Sequence, residues 1–525
     1  MRRNYQRPPW TCGRYDEHTH SALLYNLLEG KSFFFEDETA DLIGCMLTYD
    51  RESVFSLAEL CAKSGIEEDS LLPFCELLCT KGLLANQKIT EIAIEEYRAK
   101  ILVQRNRKLE SDSLVGNHDN MDFLVPNSSN AEKMYSERVG SAASIVLFEL
   151  TYNCCERCVH CYNPGATRNE SEQNQRGAIR QLTLSDYYRI IDEFYAEGTT
   201  RVCLSGGDPF SNVYVWQIIE YLYKKEIAIE IFTNAQKIVG CEKRLCSFFP
   251  CVVGVSIYSS VAEVHDSITR IKGSFDKSIS VLENLHRLGQ VLEIKCCVMQ
   301  QNLKTYTGVK DIAERYNATF QMECAIFDSA DGDKSISKYL RLTEEQLEVV
   351  LRDSFNPLYV GPELSNYGGV PKDLSDIACK AGISGIAVAP DGTLIPCASF
   401  HASLGSLKEK SLHDLLYEND YISWWTDQTL SKYEECGRHD YCDFCKMCPG
   451  LNFAEHGTPL KAAENNCFVA KVRYNLMSKL VAGQDPLKGH DLQCALNGLS
   501  IDYRGDIKRE PSDNNYNKPI NYKES

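Results

Sequence analysis

The chain has 525 residues, 43% of them hydrophobic and 25% charged, with a formal net charge of −17 and 24 cysteines. That length exceeds one ordinary core, so several domains are expected. The acid surplus argues against a nucleic-acid binder, which needs a basic face toward phosphate. No apolar run approaches the roughly 20 residues that span a bilayer. The N-terminus, Met1 to Trp10, has basic residues but no apolar stretch after them, so the expected compartment is the cytoplasm, where thiols stay reduced. Spaced cysteines in such a compartment read as metal ligands rather than disulfides.

In chain order, residues 15–107 read as a small domain of two strands and three helices, with SALLYNLL and SFFFE flanking the turn pair Glu29-Gly30. Residues 108–140 are rich in Ser, Asn, Asp and Glu and read as a linker. Across residues 141–345 six apolar runs, from IVLFELT to TFQMECAIF, alternate with amphipathic helices, the pattern of an α/β fold with a parallel sheet, here a partial (β/α)6 TIM-like barrel. Residues 373–479 are loop-rich and cysteine-rich, and residues 483–525 read as a polar, mobile tail.

The first apolar run leads into ELTYNCCERCVHCYNPG, where Cys154, Cys158 and Cys161 stand as C-x3-C-x2-C. Three thiolates can hold three irons of a [4Fe–4S] cube and leave the fourth open. A zinc site is the bland alternative, with Cys155 or His160 as fourth ligand. The second run ends in Gly206, Gly207 and Asp208, the third in Thr233 and Asn234, the fourth in Ser256, and Arg270 follows in SITRIKGSF. This set resembles the radical S-adenosylmethionine (SAM) superfamily. The resemblance implies that the open iron is chelated by SAM, whose reductive cleavage gives a 5′-deoxyadenosyl radical. It also implies that His160 sits as a flat residue beside the cluster and that the Gly-Gly-Asp turn holds the SAM amino group, with Asp208 in place of the commoner glutamate. Thr233, Asn234 and Ser256 would contact the methionyl and ribose parts, and Arg270 the carboxylate.

Further on, Cys379, Gly392 and Cys397 fit C-x12-G-x4-C, followed by Cys436, Cys442, Cys445, Cys448 and Cys467. The layout resembles the SPASM domain, which holds up to two auxiliary [4Fe–4S] clusters. By that resemblance Cys379, Cys397 and Cys448 serve one cluster, without a fourth ligand, and Cys436, Cys442, Cys445 and Cys467 the other. The family's usual C-x2-C spacing falls on His439, which stays open as an alternative to Cys442.

The N-terminal hairpin around Glu29-Gly30, Ala40 to Met46 and the ending Lys81 to Leu84 resemble the winged helix-turn-helix leader-recognition element of peptide maturases, related to the peptide chaperone of pyrroloquinoline quinone biosynthesis. Such a domain offers a sheet edge to an extended peptide. The whole resembles a radical SAM/SPASM maturase of ribosomally made peptides, an oxidoreductase. Its partners would be a precursor peptide with a leader and an electron donor such as flavodoxin or ferredoxin, with no nucleic acid or membrane. A thioether cross-link is the first expectation. The alternatives are formylglycine formation in a sulfatase or, from another class, a peptide-binding iron–sulfur scaffold. The sequence points to no catalytic acid or base, and Asp331 and Asp333 read as solvated loop carboxylates.

Overall fold

The computed structural model describes residues 3–111, 129–141, 143–163, 181–329, 339–361, 373–383 and 385–502. Asp331 and Asp333 lie outside them.

The N-terminal unit comprises β1 (Asn4–Gln6), β2 (Thr11–Asp16), β3 (Ser21–Asn26), β4 (Lys31–Glu36), α1 (Asp37–Leu47), β5 (Val54–Ser56), α2 (Leu57–Ser64) and α3 (Glu68–Thr80), with α4 (Glu91–Ser111) after it. The hairpin β3–β4 and three helices were expected. The sheet is nevertheless an antiparallel meander β2-β3-β4, and the unit begins near Asn4, where β1 pairs with β5, rather than at residue 15. Strand β2 escapes a pattern search because Gly13 interrupts its alternation. A Cβ there would stand 2.3 Å from Leu24 Cδ2, so only glycine lets the two strands pack.

The expected linker 108–140 also holds structure. Ser129 and Glu132 form a capping box that starts α5 (Asn130–Val139), which buries Glu132 and Tyr135. This helix docks the N-terminal sheet on the next unit: Tyr25 donates to Glu132 at 2.7 Å, and Arg201 lies 3.1 Å from Glu132 and 3.2 Å from Glu230. Arg7 adds a bidentate pair to Glu226 at 2.6 and 2.7 Å.

The central unit is the expected repeat. It runs β6 (Ile145–Thr151), α6 (Leu184–Ala196), β7 (Arg201–Gly206), α7 (Val215–Lys224), β8 (Ala228–Thr233), α8 (Glu242–Cys246), β9 (Val252–Ser256), α9 (Ala262–Thr269), α10 (Ser274–Arg287), β10 (Leu292–Cys297), α11 (Gly308–Arg315), β11 (Thr319–Glu323) and α12 (Glu344–Val350). The six strands are parallel in the order β11-β10-β9-β8-β7-β6. Side chains alternate between the two faces of a strand. Val146, Phe148 and Leu150 of β6 join Ile190, Phe194 and Ile219 in the main core under the helices. Leu147 faces the other way, packing with Cys203, Ala387, Ile395 and Ala398 on the inner face. Glu149, two residues on, shares that inner face.

The cysteine-rich region does not stand apart from this sheet. β12 (Gly385–Val388) pairs in parallel with β6, and β13 (Thr393–Ile395) and β14 (Gly405–Ser406) follow antiparallel. The remaining helices are α13 (Leu412–Tyr417), α14 (Asp420–Thr426), α15 (Pro449–His456), α16 (Glu464–Val481) and α17 (Leu492–Gly498). The last corrects the expectation of a mobile tail from residue 483: Gln493 donates to the Lys304 carbonyl at 2.9 Å, Gln346 donates to the Ser500 carbonyl at 2.7 Å, and Leu496 is buried. Among the described residues no helix is long and apolar enough to cross a membrane.

Candidate active site

The cysteine loop leaves the C-terminal end of β6 and is pinned to the end of α9, where Arg157 and Val159 N–H groups donate to the carbonyls of Thr269 and Ile268, both at 2.9 Å. Cys154 Sγ accepts from the Glu156 N–H at 3.3 Å and from Asn234 Nδ2 at 3.2 Å. Cys155 stands next to it, 3.8 Å from the same amide nitrogen. Burial pushes the Cys158 thiol well up. Protonated buried thiols must release protons when they take a metal, so loading is coupled to pH. The imidazole of His160 meets the Tyr258 ring edge-on, centroids 4.6 Å apart, and burial holds its pKa down to about 4, so it is a neutral flat ring under the loop. Among the described residues no three Cys, His, Asp or Glu side chains gather tightly enough to hold one metal ion. A cubane asks for a wider arrangement, since each of its irons takes a single thiolate.

The Gly-Gly-Asp turn is built onto this loop. Gly207 and Asp208 N–H groups donate to the carbonyls of Thr151 and Asn153 at 2.6 and 3.2 Å, and Asn163 donates to the Gly206 carbonyl at 2.8 Å. Gly206 has φ +120, and a Cβ there would lie 2.4 Å from the Thr151 carbonyl oxygen; at Gly207 it would lie 2.6 and 2.7 Å from those of Asn153 and Tyr152. The glycines are therefore required by the approach of turn to loop, a constraint earlier than any contact with a ligand.

Asp208 is fully buried. Its Oδ1 accepts from Thr233 Oγ1 at 2.5 Å, while its Oδ2 has no side-chain partner among the described residues. Burial raises its pKa to about 6, against the opposing Thr233 hydrogen bond. A buried carboxylate oxygen left open beside the cysteine loop fits an incoming ammonium such as the amino group of SAM. The structure gives Thr233 and Asn234 supporting contacts to Asp208 and Cys154. Ser256 is half-buried at the end of β9. Arg270 is exposed at the left-handed C-terminal cap of α9, φ 58, directly after Thr269, whose carbonyl accepts from the Arg157 N–H of the cysteine loop.

The C-terminal cysteines divide into two groups. Cys436, Cys442, Cys445 and Cys467 line one pocket together with His439, Tyr441 and Met447. Cys442 is 8% exposed, whereas His439 is exposed and stacks on Tyr441 at 4.9 Å. The other group is linked through Ser399, whose Oγ lies 3.2 Å from Cys397 Sγ and 4.0 Å from Cys448 Sγ. Burial pushes the Cys397 thiol to about 12, with Cys448 and Cys379 as charged neighbours acting in the same direction. Ser399 was not singled out from the sequence. Its only signal is its place two residues after a cysteine, and Gly450, which follows the Cys448-Pro449 pair, packs on its carbonyl.

Residues 148–300 match the Radical SAM superfamily, and residues 379–449 match the SPASM iron-sulfur cluster-binding domain. The chain is 24% identical over 336 residues to the antilisterial bacteriocin subtilosin biosynthesis protein AlbA of Bacillus subtilis, covering 62% of this chain and 70% of that one. It is 29% identical over 188 residues to the mycofactocin maturase MftC of Mycolicibacterium smegmatis, covering 35% of this chain and 45% of the relative. The crystal structure of Streptococcus suis SuiB bound to precursor peptide SuiA aligns with 88% of this chain and 99% of its own, at TM-score 0.49 and 14% identity. When bound, SAM on a [4Fe–4S] cluster supplies a carbon radical able to abstract hydrogen. The cysteine loop, the Gly-Gly-Asp turn built on it and the two matched domains mark this chain as an enzyme that carries a radical SAM domain followed by a SPASM domain and works with SAM and [4Fe–4S] clusters.

Proposed function

We propose that this enzyme is a maturase that cross-links a ribosomally synthesised peptide, forming a thioether between a cysteine sulfur and a carbon. Cys154, Cys158 and Cys161 hold the SAM cluster, with His160 beside it. Asp208 receives the SAM amino group, and Gly206, Gly207, Thr233, Asn234 and Ser256 shape that pocket. Cys436, Cys442, Cys445 and Cys467 hold one auxiliary cluster; Cys379, Cys397 and Cys448 hold the other and leave one iron for a substrate thiolate. The N-terminal sheet and helices act as a winged-helix leader-recognition unit, and a flavodoxin or ferredoxin in the cytoplasm provides electrons.

The observation that carries this reading is the division of the seven C-terminal cysteines, four around one cavity and three near Cys397, where Ser399 lies between Cys397 and Cys448 and Cys379 is an electrostatic neighbour. A set of three is what an open auxiliary iron requires. The names of the relatives AlbA and MftC, both of biosynthesis or maturation, support a peptide substrate over a sulfatase. The test is anaerobic incubation of the reconstituted enzyme with SAM, a reductant and the short peptide encoded beside its gene. Loss of two hydrogens with masked thiols is expected. The same loss with free thiols refutes the thioether, and SAM cleavage without change in the peptide refutes the maturase.

A further inference from the structure

A radical cross-link removes two hydrogens from the peptide, and only one of them leaves as an atom to the deoxyadenosyl carbon. The second must leave as a proton and an electron, so a proton acceptor has to stand inside the barrel, near an electron acceptor and away from bulk water. One buried polar group in the described residues has this position and no part in the site above.

Glu149 lies on the inner face of β6, opposite Ser205 of β7 in register, and is followed by the bulge that starts the cysteine loop. Its Oε2 accepts from Tyr152 OH at 2.6 Å and lies 3.4 Å from His401 Nε2, with the two side chains 1% and 5% exposed. His401 follows the tight turn in which the Phe400 N–H donates to the Cys397 carbonyl at 2.8 Å. The ring of Tyr162, the residue after Cys161, stands 6.3 Å from the His401 ring and 6.3 Å from Phe327. The group therefore spans from the cysteine loop of the SAM site to the turn that carries Cys397. The carboxylate, held by the Tyr152 phenol, faces the imidazole nitrogen across 3.4 Å in a dry site, a geometry in which a histidine can serve as a general base.

We propose that His401, facing Glu149, takes the proton that the peptide thiol gives up as its sulfur becomes the thiolate on the open auxiliary iron. This rests on the maturase reading. The thiol S–H bond of the peptide breaks as the sulfur binds, and the C–S bond then forms between the thiolate and the carbon radical. The proton goes to the His401 imidazole, and one electron goes to an oxidised auxiliary [4Fe–4S] cluster, reduced from 2+ to 1+. Glu149 is a positioning residue and remains a carboxylate.

The test uses the full reconstituted chain with the neighbouring peptide deuterated at the cross-linked carbon, and compares it with His401→Ala, His401→Gln and Glu149→Gln. Iron content and the cluster EPR spectra establish that each variant is loaded and folded. In the His401 variants the 5′-deoxyadenosine formed per cross-link is expected to rise at least tenfold. Freeze-quenched samples should show an accumulated substrate-carbon radical by EPR, and added imidazole should restore cross-linking to His401→Ala, which a merely structural histidine would not allow. Glu149→Gln should shift the same ratio by a smaller factor. Loaded variants that cross-link with the parent's ratio and no added radical overturn the proposal, as does loss of product that imidazole does not rescue. An unmodified chain that cleaves SAM but leaves the peptide unchanged overturns the maturase reading and this inference with it.

Discussion

Arg201→Met removes the one cation between two buried carboxylates. Arg201 is 8% exposed and lies 3.1 Å from Glu132 and 3.2 Å from Glu230, themselves 3% and 5% exposed. Breaking a buried pair by deleting one partner costs about 3–5 kcal/mol, because the remaining charge has no compensation. Part of that cost is relieved by protonation. Burial already raises the Glu230 pKa to about 7 even with Arg201 in place, so near neutrality this carboxyl accepts a proton cheaply. The loss then falls mainly on Glu132, and the expected destabilisation is ~3 kcal/mol at pH 8. For a unit of 150–250 residues that lowers the melting temperature by roughly 6–12 °C. In the variant the Glu230 carboxyl, without the Arg201 charge that lowers its pKa, holds its proton to higher pH than in the parent, so the gap narrows as pH falls, by up to ~1.4 kcal/mol per pH unit. The parent itself should lose stability as pH rises from 4.5 through 7, since the folded state there holds a proton on Glu230 that the unfolded chain has released. Thermal melts by circular dichroism at pH 6 and pH 8 are the assay. A shift under 2 °C at pH 8, or a larger gap at pH 6 than at pH 8, refutes the account.

Asp208→Asn should weaken SAM binding about tenfold to a hundredfold, the worth of a charge-assisted hydrogen bond of ~1.5–3 kcal/mol. In the parent, SAM affinity should climb as pH rises through about 6, where this carboxyl ionises, and equilibrium dialysis at pH 5 and 7.5 checks both. Gly207→Ala places a methyl 2.6 Å from the Asn153 carbonyl oxygen and should displace the cysteine loop, so anaerobic reconstitution should yield about one cluster fewer per chain while the C-terminal clusters persist. Cys442→Ala should lower the iron count by about one cluster and His439→Ala should leave it unchanged. The reverse result would return the histidine to the ligand set.

The strands of the barrel could be read because most are short runs buried on both faces, as β6 is throughout, and spacing alone exposed the cysteines. What stayed hidden depends on contacts across the chain. Strand β2 needs Leu24 above Gly13, and α5 begins at a capping box inside a run that otherwise looks like linker. Thr233 and Asn234 were read as ligand contacts, but their roles toward Asp208 and Cys154 depend on where adjacent strands end. No local pattern announces Glu149 and His401 as a pair, since 252 positions separate them in the numbering and it is the pairing of β12 with β6 that brings their segments together.

That pairing also explains how the barrel and the cysteine-rich unit act as one. A six-stranded parallel sheet that does not close leaves two edges, and an edge strand as apolar as β6 is a hazard if uncovered. β12 covers it through four registered positions, from Gly385 opposite Ile145 to Val388 opposite Phe148. Backbone pairing sets the position of one strand against another to within a residue, because a slip of one would turn Ala387 away from Leu147 and the inner face. The chain then returns through β13 and the Cys397 turn, and His401 arrives against Glu149. The geometry between the two cysteine-bearing turns is thus set by sheet hydrogen bonds rather than by a linker, so the cysteine loop after β6 and the Cys397 turn are held at a fixed separation across one buried polar group.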